Sequence, residues 1–159
     1  MNIRILCVGR LKERFYEEAV SEFLKRLSRY ASVELIEVAD EKAPERLSDA
    51  QRAQVTLEEG RRLLAKVEKN DFAVALDLKG KELSSPALAS SMQAWMNEGK
   101  ASFVFLAGGS LGLSAEVLSR ADYLLSFGKM TFSHQVFRVM LLEQLYRAFK
   151  IMHNEPYHK

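Results

Sequence analysis

The chain has 159 residues, 48% of them hydrophobic and 28% charged, which suits one domain with enough length to bury a core. No apolar run approaches the roughly 20 residues of a membrane span, and the apolar part of the opening MNIRILCVGR is too short for a signal peptide. With 23 basic and 21 acidic side chains the net charge is only +2, too little for strong nonspecific RNA or DNA binding, which needs many phosphate contacts.

Asn2 to Val8 predicts a first strand, with Ile3, Ile5, Leu6 and Val8 apolar and Gly9 ending the run. Cys7 sits within that run, so a buried, inert thiol is expected; as the only cysteine it rules out an internal disulfide. Residues 11–30 predict a helix: Phe15, Ala19, Phe23, Leu24 and Leu27 fall at helical spacing and the charges lie opposite. Val33 to Val38 alternates and predicts a second strand, followed by a charged loop containing Pro44. Ser48 opens a long helix to about Lys69, with Gln51 at the capping-box spacing. Asp71 to Leu78 predicts a third strand, closed by Lys79-Gly80. Ser85-Pro86 is a cap and first-turn pair for a helix over 86–98, which stops at Asn97 and Gly99.

Phe103 to Ala107 predicts a fourth strand, Ser114 opens a short helix, and Tyr123 to Phe127 predicts a fifth strand. The last helix, His134 to about Met152, is apolar on more than one face, from Val136 and Phe137 to Leu145, Tyr146 and Phe149. A helix so apolar needs cover all round. In a small domain one of its faces calls for another chain, so a homodimer is expected. Alternation of strands and helices, without linker or repeat, predicts one α/β domain with a mostly parallel sheet flanked by helices. A cytoplasmic location is the matching expectation.

Several motifs are missing. There is no Walker sequence, no G-x-G-x-x-G after the first strand, no G-x-S-x-G elbow and no H-x-x-x-H pair. Asp40, after the second strand, could hold a ribose, but without the glycines that signal is weak. These absences argue against an ordinary Rossmann enzyme, a nucleoside triphosphatase, a hydrolase and a zinc enzyme; no metal site is expected.

Three loops at predicted strand ends remain: Leu76 to Gly80, Ala107 to Gly112 and Phe127 to Ser133. Ligands of open α/β sheets bind outside the carboxyl ends of strands. The pair Gly108-Gly109 lets a backbone approach a ligand, and it serves a tight turn equally well. The last loop sets Lys129 and Thr131 among the aromatics Phe127 and Phe132. His134 and Arg138 lie one helical turn apart on one face. Beside a pocket they could bind phosphate or steer a proton; as plain structure they are a histidine at a helix start and an arginine in an ion pair. The polar tail from Asn154 is of a kind that is often disordered, yet Tyr157-His158 offers an aromatic face and a titratable ring for holding a base.

Taken together these pieces resemble a known family along the whole chain. They are the opening strand ending Val8-Gly9, Val74-Ala75-Leu76-Asp77, Leu106-Ala107-Gly108-Gly109 with Gly112-Leu113, and the run Leu125 to Phe132. His134, Arg138-Val139, Glu143 to Ala148 and the closing Pro156-Tyr157-His158 complete the set. The chain resembles the ribosomal RNA large subunit methyltransferase H family of the SPOUT superfamily. The resemblance implies a C-terminal trefoil knot, with knot and cofactor loops within about 72–150. It implies S-adenosylmethionine as methyl donor, leaving S-adenosylhomocysteine as product. The contacts carried over are Leu76, Gly108 and the loop of Phe127, Gly128, Lys129, Met130, Thr131 and Phe132.

It further implies a homodimer packed through the knot region, with no DNA or membrane partner. The implied substrate is a pseudouridine in large-subunit ribosomal RNA, methylated at N3 within the assembled ribosome. The low net charge suits recognition by an assembled surface. Members often carry proline before the histidine; Ser133 here is expected to alter the helix cap and not the chemistry. The implied catalytic set is His134, Arg138, Tyr157 and His158. Either His158 or His134 would take the imide proton, Arg138 would anchor a phosphate or the methionine carboxylate, and Tyr157 would orient the base. The alternatives are a SPOUT methyltransferase acting on another RNA, such as transfer RNA, and a non-catalytic ligand- or RNA-binding dimer.

Overall fold

In the computed structural model, which describes residues 1–159, five strands and five helices alternate along the chain. They are β1 (Asn2–Val8), α1 (Arg14–Leu27), β2 (Ser32–Val38), α2 (Asp49–Leu64) and β3 (Phe72–Glu82). Then follow α3 (Ser85–Asn97), β4 (Ser102–Ala107), α4 (Ala115–Arg120), β5 (Tyr123–Ser126) and α5 (His134–Met152). The strands form one sheet in the order β2-β1-β4-β3-β5, and every pairing is parallel.

Alternation along the strands splits the core in two. Ile3, Ile5, Cys7, Phe103 and Phe105 pack with Val20, Leu27, Leu88, Met92, Leu141 and Leu145 of α1, α3 and α5. Leu6, Val8, Val104 and Leu106 pack on the opposite face with Leu63 of α2 and Val117 of α4. Each fully buried Leu or Phe side chain contributes about 1.5–3 kcal/mol. The connections to β2 and β4 cross one face and those to β3 and β5 cross the other, as right-handed crossovers require when the chain changes direction along the sheet.

The predicted elements are present, with shorter ends for two helices: α1 begins at Arg14 and α2 ends at Leu64. The Ser48–Gln51 capping box forms in both directions. The third strand differs more. Instead of closing at Lys79-Gly80 it continues to Glu82, because Leu125 of β5 lies opposite both Leu76 and Lys81. Residues 77–80 therefore bulge out of the ladder, and Leu78 is left 59% exposed. Gly80 is needed there: a Cβ would lie 2.6 Å from the Leu125 carbonyl carbon.

Helix α5 is half-buried where it is not buried. Arg138, Leu141, Leu142, Leu145, Ala148 and Phe149 face the core, while Val136, Phe137, Val139 and Met140 keep part of their surface open. The tail is ordered by side-chain contacts. Asn154, with φ of 53°, turns the chain back, and Glu155 accepts from the Tyr30 hydroxyl at 2.7 Å and pairs with Lys150.

Candidate functional site

Parallel strands place all their carboxyl ends on one rim. Gly9, Asp40, Gly108 and Phe127 each stand just past the end of a strand and Leu76 stands in β3 just before its bulge, so five chain segments distant in sequence share this side of the sheet. The loop after β4 turns toward the α2 and α4 face, whereas those after β1 and β3 turn toward α1, α3 and α5. The β4 loop is thus flanked by crevices, the position where ligands of open sheets bind.

That loop is drawn tight. Gly109 and Gly112 pair as an isolated bridge, and Gly112 has φ of 83°. A Cβ on Gly108 would meet the Gly112 carbonyl carbon and oxygen at 2.5 Å. The double glycine therefore serves the turn as well as any ligand. Beneath Gly109 lies Glu59 of α2, a side chain that no sequence motif singles out. It is 5% exposed; its Oε1 accepts from the Glu41 amide at 3.0 Å and its Oε2 has no partner. Burial pushes its carboxyl above the ordinary range.

An open cavity of about 620 Å³ lies between the start of α3, the end of β5 and the middle of α5. Phe127 and Gly128 line it, together with Leu125, Met140, Glu143 and Gln144. Leu76, Gly108, Lys129, Met130, Thr131 and Phe132 do not. Leu76 joins this region through its backbone pairing with Leu125. Phe127 stacks obliquely on Phe137 at 4.7 Å, which fixes the start of the loop against α5. Met130, at its tip, is 73% exposed.

His134 is the first residue of α5, and the cap is Ser133, whose hydroxyl accepts from the Val136 amide at 3.3 Å. The imidazole faces the end of β1, its Nε2 3.8 Å from where a Gly9 Cβ would be. Burial, helped by the Arg138 and Lys12 charges, holds its pKa below the usual value, against the pull of Asp40. One turn on, Arg138 is 1% exposed. Its Nη1 donates to Glu37 Oε1 at 2.6 Å, and its Nη2 donates to the carbonyls of Val8 and Gly9 at 2.9 and 2.8 Å. Only Nε lacks a partner. Within the chain this guanidinium ties α5 to the ends of β1 and β2. Glu37 could not be matched to Arg138 from sequence, because 101 positions separate them.

Tyr157 and His158 follow the end of α5, and Tyr157 folds back onto the helix's middle. The Tyr157 hydroxyl donates to Glu143 Oε1 at 3.1 Å, and its ring meets Tyr146 edge-on at 4.9 Å and the Arg147 guanidinium at 4.6 Å. Glu143 also pairs with Arg147 and lines the cavity, so it links the tail to that wall. Its i, i+4 spacing to Arg147 was the available sequence signal. His158 is exposed. Within the chain His134 and Arg138 thus stand together, and Tyr157 and His158 form a separate group.

The comparisons with known proteins agree with this architecture. A family described as "Predicted SPOUT methyltransferase" matches residues 1–158. A Carboxydothermus hydrogenoformans protein called "Ribosomal RNA large subunit methyltransferase H" is 54% identical over 159 residues, covering all of both chains. A Clostridium perfringens protein called "Ribosomal RNA large subunit methyltransferase H 1" is 50% identical over the same span, again covering both completely. Among solved structures, a probable methylase family protein from Haemophilus influenzae matches with a TM-score of 0.56 at 14% identity, over 99% of this chain and 70% of that one, which speaks for the fold alone. The chain belongs to the SPOUT methyltransferase family, in the group of the proteins called ribosomal RNA large subunit methyltransferase H.

Proposed function

We propose that this protein is a homodimeric methyltransferase. It moves a methyl group from S-adenosylmethionine to N3 of a pseudouridine in large-subunit ribosomal RNA, within the assembled ribosome in the cytoplasm. The observation that carries the reading is that Leu76, just before the β3 bulge, Gly108, just after β4, and the Phe127–Phe132 loop, just after β5, lie on three adjacent parallel strands. It occurs in a chain that matches its ribosomal RNA methyltransferase relatives from end to end. The family's knot would be threaded by the crossing from β4 over β3 to β5 and the return of α5 across the sheet.

These residues fit the donor. Gly108 adds no side chain at the end of β4, and a cavity large enough for a nucleoside adjoins Phe127 and Gly128. When bound, S-adenosylmethionine supplies a methyl already activated as a sulfonium. The chain's task is alignment. Leu76 and the Phe127–Phe132 loop enclose and orient the donor and exclude water. Arg138, spent on Glu37, Val8 and Gly9, acts by positioning the β1 end beside His134. The imide proton leaves to an imidazole, that of His134 or that of His158. His134 suits the task because burial disfavours its charged form. Tyr157 orients the base, with the tail of one protomer serving the other; the half-open apolar side of α5 supports a second chain there.

Labelled S-adenosylmethionine should place methyl groups on whole ribosomes and scarcely on naked ribosomal RNA, both from cells lacking this gene. Label on transfer RNA instead, or on nothing while the donor still binds, would overturn the substrate. Truncation after Glu155 should abolish turnover and leave donor affinity nearly intact; full activity in the truncated chain would remove the tail from the site.

A further inference from the structure

The loop joining β1 to α1, residues 9–13, is short, exposed at Arg10, Lys12 and Glu13, and held by several hydrogen bonds. The Gly9 amide donates to the Val38 carbonyl at 2.8 Å, and the Gly9 carbonyl accepts from Arg138. The Leu11 amide donates to Glu37 Oε1 at 2.8 Å, and the Lys12 amide donates to Gln135 Oε1 at 2.9 Å. A buried guanidinium and two side chains from other elements are thus committed to fixing one surface loop. Yet the side chains this loop projects, Arg10 and Lys12, are exposed and form no ion pair or hydrogen bond within the chain. They border the rim beside Gly9 and His134, at the amino end of the 19-residue α5, whose dipole adds positive potential. Of the carboxylates nearby, Asp40 lies against Gly9, Glu37 accepts from the Leu11 amide, and Glu13 belongs to the loop itself.

Unpaired cations gathered at a helix amino end repel one another, and an anion joining them relieves that cost. A loop fixed beforehand loses little entropy on binding, so its cations are worth more than those on a free segment. Their two-residue offset spans at most about 7 Å, within reach of neighbouring phosphates on one strand. We propose that Arg10 and Lys12 form a preorganised clamp for the RNA backbone phosphates next to the target nucleotide. The inference rests on the ribosomal RNA substrate proposed above. It also gives the buried Arg138–Glu37 pair a function: keeping the clamp in register with His134.

The test compares wild type with R10Q/K12Q and with K69Q/K100Q. The second pair removes the same charge from exposed positions at the opposite rim, beside the starts of β3 and β4. R10Q/K12Q should raise the KM for ribosomes about tenfold, leave S-adenosylmethionine affinity unchanged, and lower the slope of log KM against log salt by about 1.4–1.8, the value for two phosphate contacts. K69Q/K100Q should behave as wild type. Equal effects from the two pairs, or an unchanged KM and salt slope in R10Q/K12Q, would overturn the clamp. Co-sedimentation with ribosomes separates this from the reaction itself. Wild type that binds without methylating, while R10Q/K12Q fails to bind, would refute the substrate and uphold the clamp. A double variant that sediments like wild type would refute the clamp whatever the chemistry.

Discussion

Replacing Arg138 with methionine tests how much of this fold hangs on one buried charge. Methionine fills the aliphatic volume but supplies no donor. The Val8 and Gly9 carbonyls each lose a bond, and Glu37 loses its partner while keeping the Leu11 amide. Breaking a buried pair by removing one side costs about 3–5 kcal/mol. Glu37 keeps 28% of its side-chain surface, so water partly solvates it and the lower half of that range applies. For a chain of this length that corresponds to a Tm fall of roughly 6–16 °C. The assay is urea and thermal unfolding followed by circular dichroism, at one fixed protein concentration, since the proposed dimer would make apparent stability depend on concentration. Glu37→Gln keeps an acceptor but leaves the buried guanidinium without a countercharge, so it should also cost about 3–5 kcal/mol. Because R138M/E37Q leaves no unpaired charge, its cost should be less than the sum of the two. An R138M protein within about 1 kcal/mol of wild type, or strict additivity, would refute the reasoning.

Other expectations follow from the same geometry. Gly108→Ala and Gly80→Ala each set a Cβ about 2.5 Å from backbone atoms that cannot swing aside, and should cost about 1–3 kcal/mol or more. Gly99→Ala meets nothing within 4 Å and carries only the strain of φ near +87°, about 1 kcal/mol; urea midpoints should rank the three in that order. With His134 depressed, the unfolded chain binds more protons than the native one. Its contribution is therefore complete above about pH 6.5 and lost as pH falls below that value. His134→Gln should flatten this acid-side slope of stability, and an unchanged slope would place the imidazole in solvent. Burial pushes the Cys7 thiol up to about 12, so thiol reagents should label it only in denaturant; rapid labelling of the native protein would contradict its place in the core.

The family resemblance was legible because it rests on short contiguous runs, such as Leu106 to Gly109 and Leu125 to Phe132, and these survive as strand ends and loops. The functional grouping was legible only in part. His134 and Arg138 were visible as neighbours because helical spacing is local. That Arg138 reaches back to β1 and β2, and that Tyr157 folds onto Glu143 instead of trailing as a free tail, depended on contacts absent from any local pattern.

By itself the sequence determined the α/β class, the five strands, the capping box at Ser48 and the loops worth attention. These follow from periodicity, turn residues and caps, which act over a few positions. The strand order, the bulge at residues 77–80, the unpartnered Glu59 carboxylate and the pairing of Glu37 with Arg138 were decided by tertiary structure. The physical reason is that burial and charge pairing depend on which surfaces meet. Elements of equal propensity can meet in several orders, and only the packed arrangement removes a particular guanidinium from water and gives it a particular carboxylate.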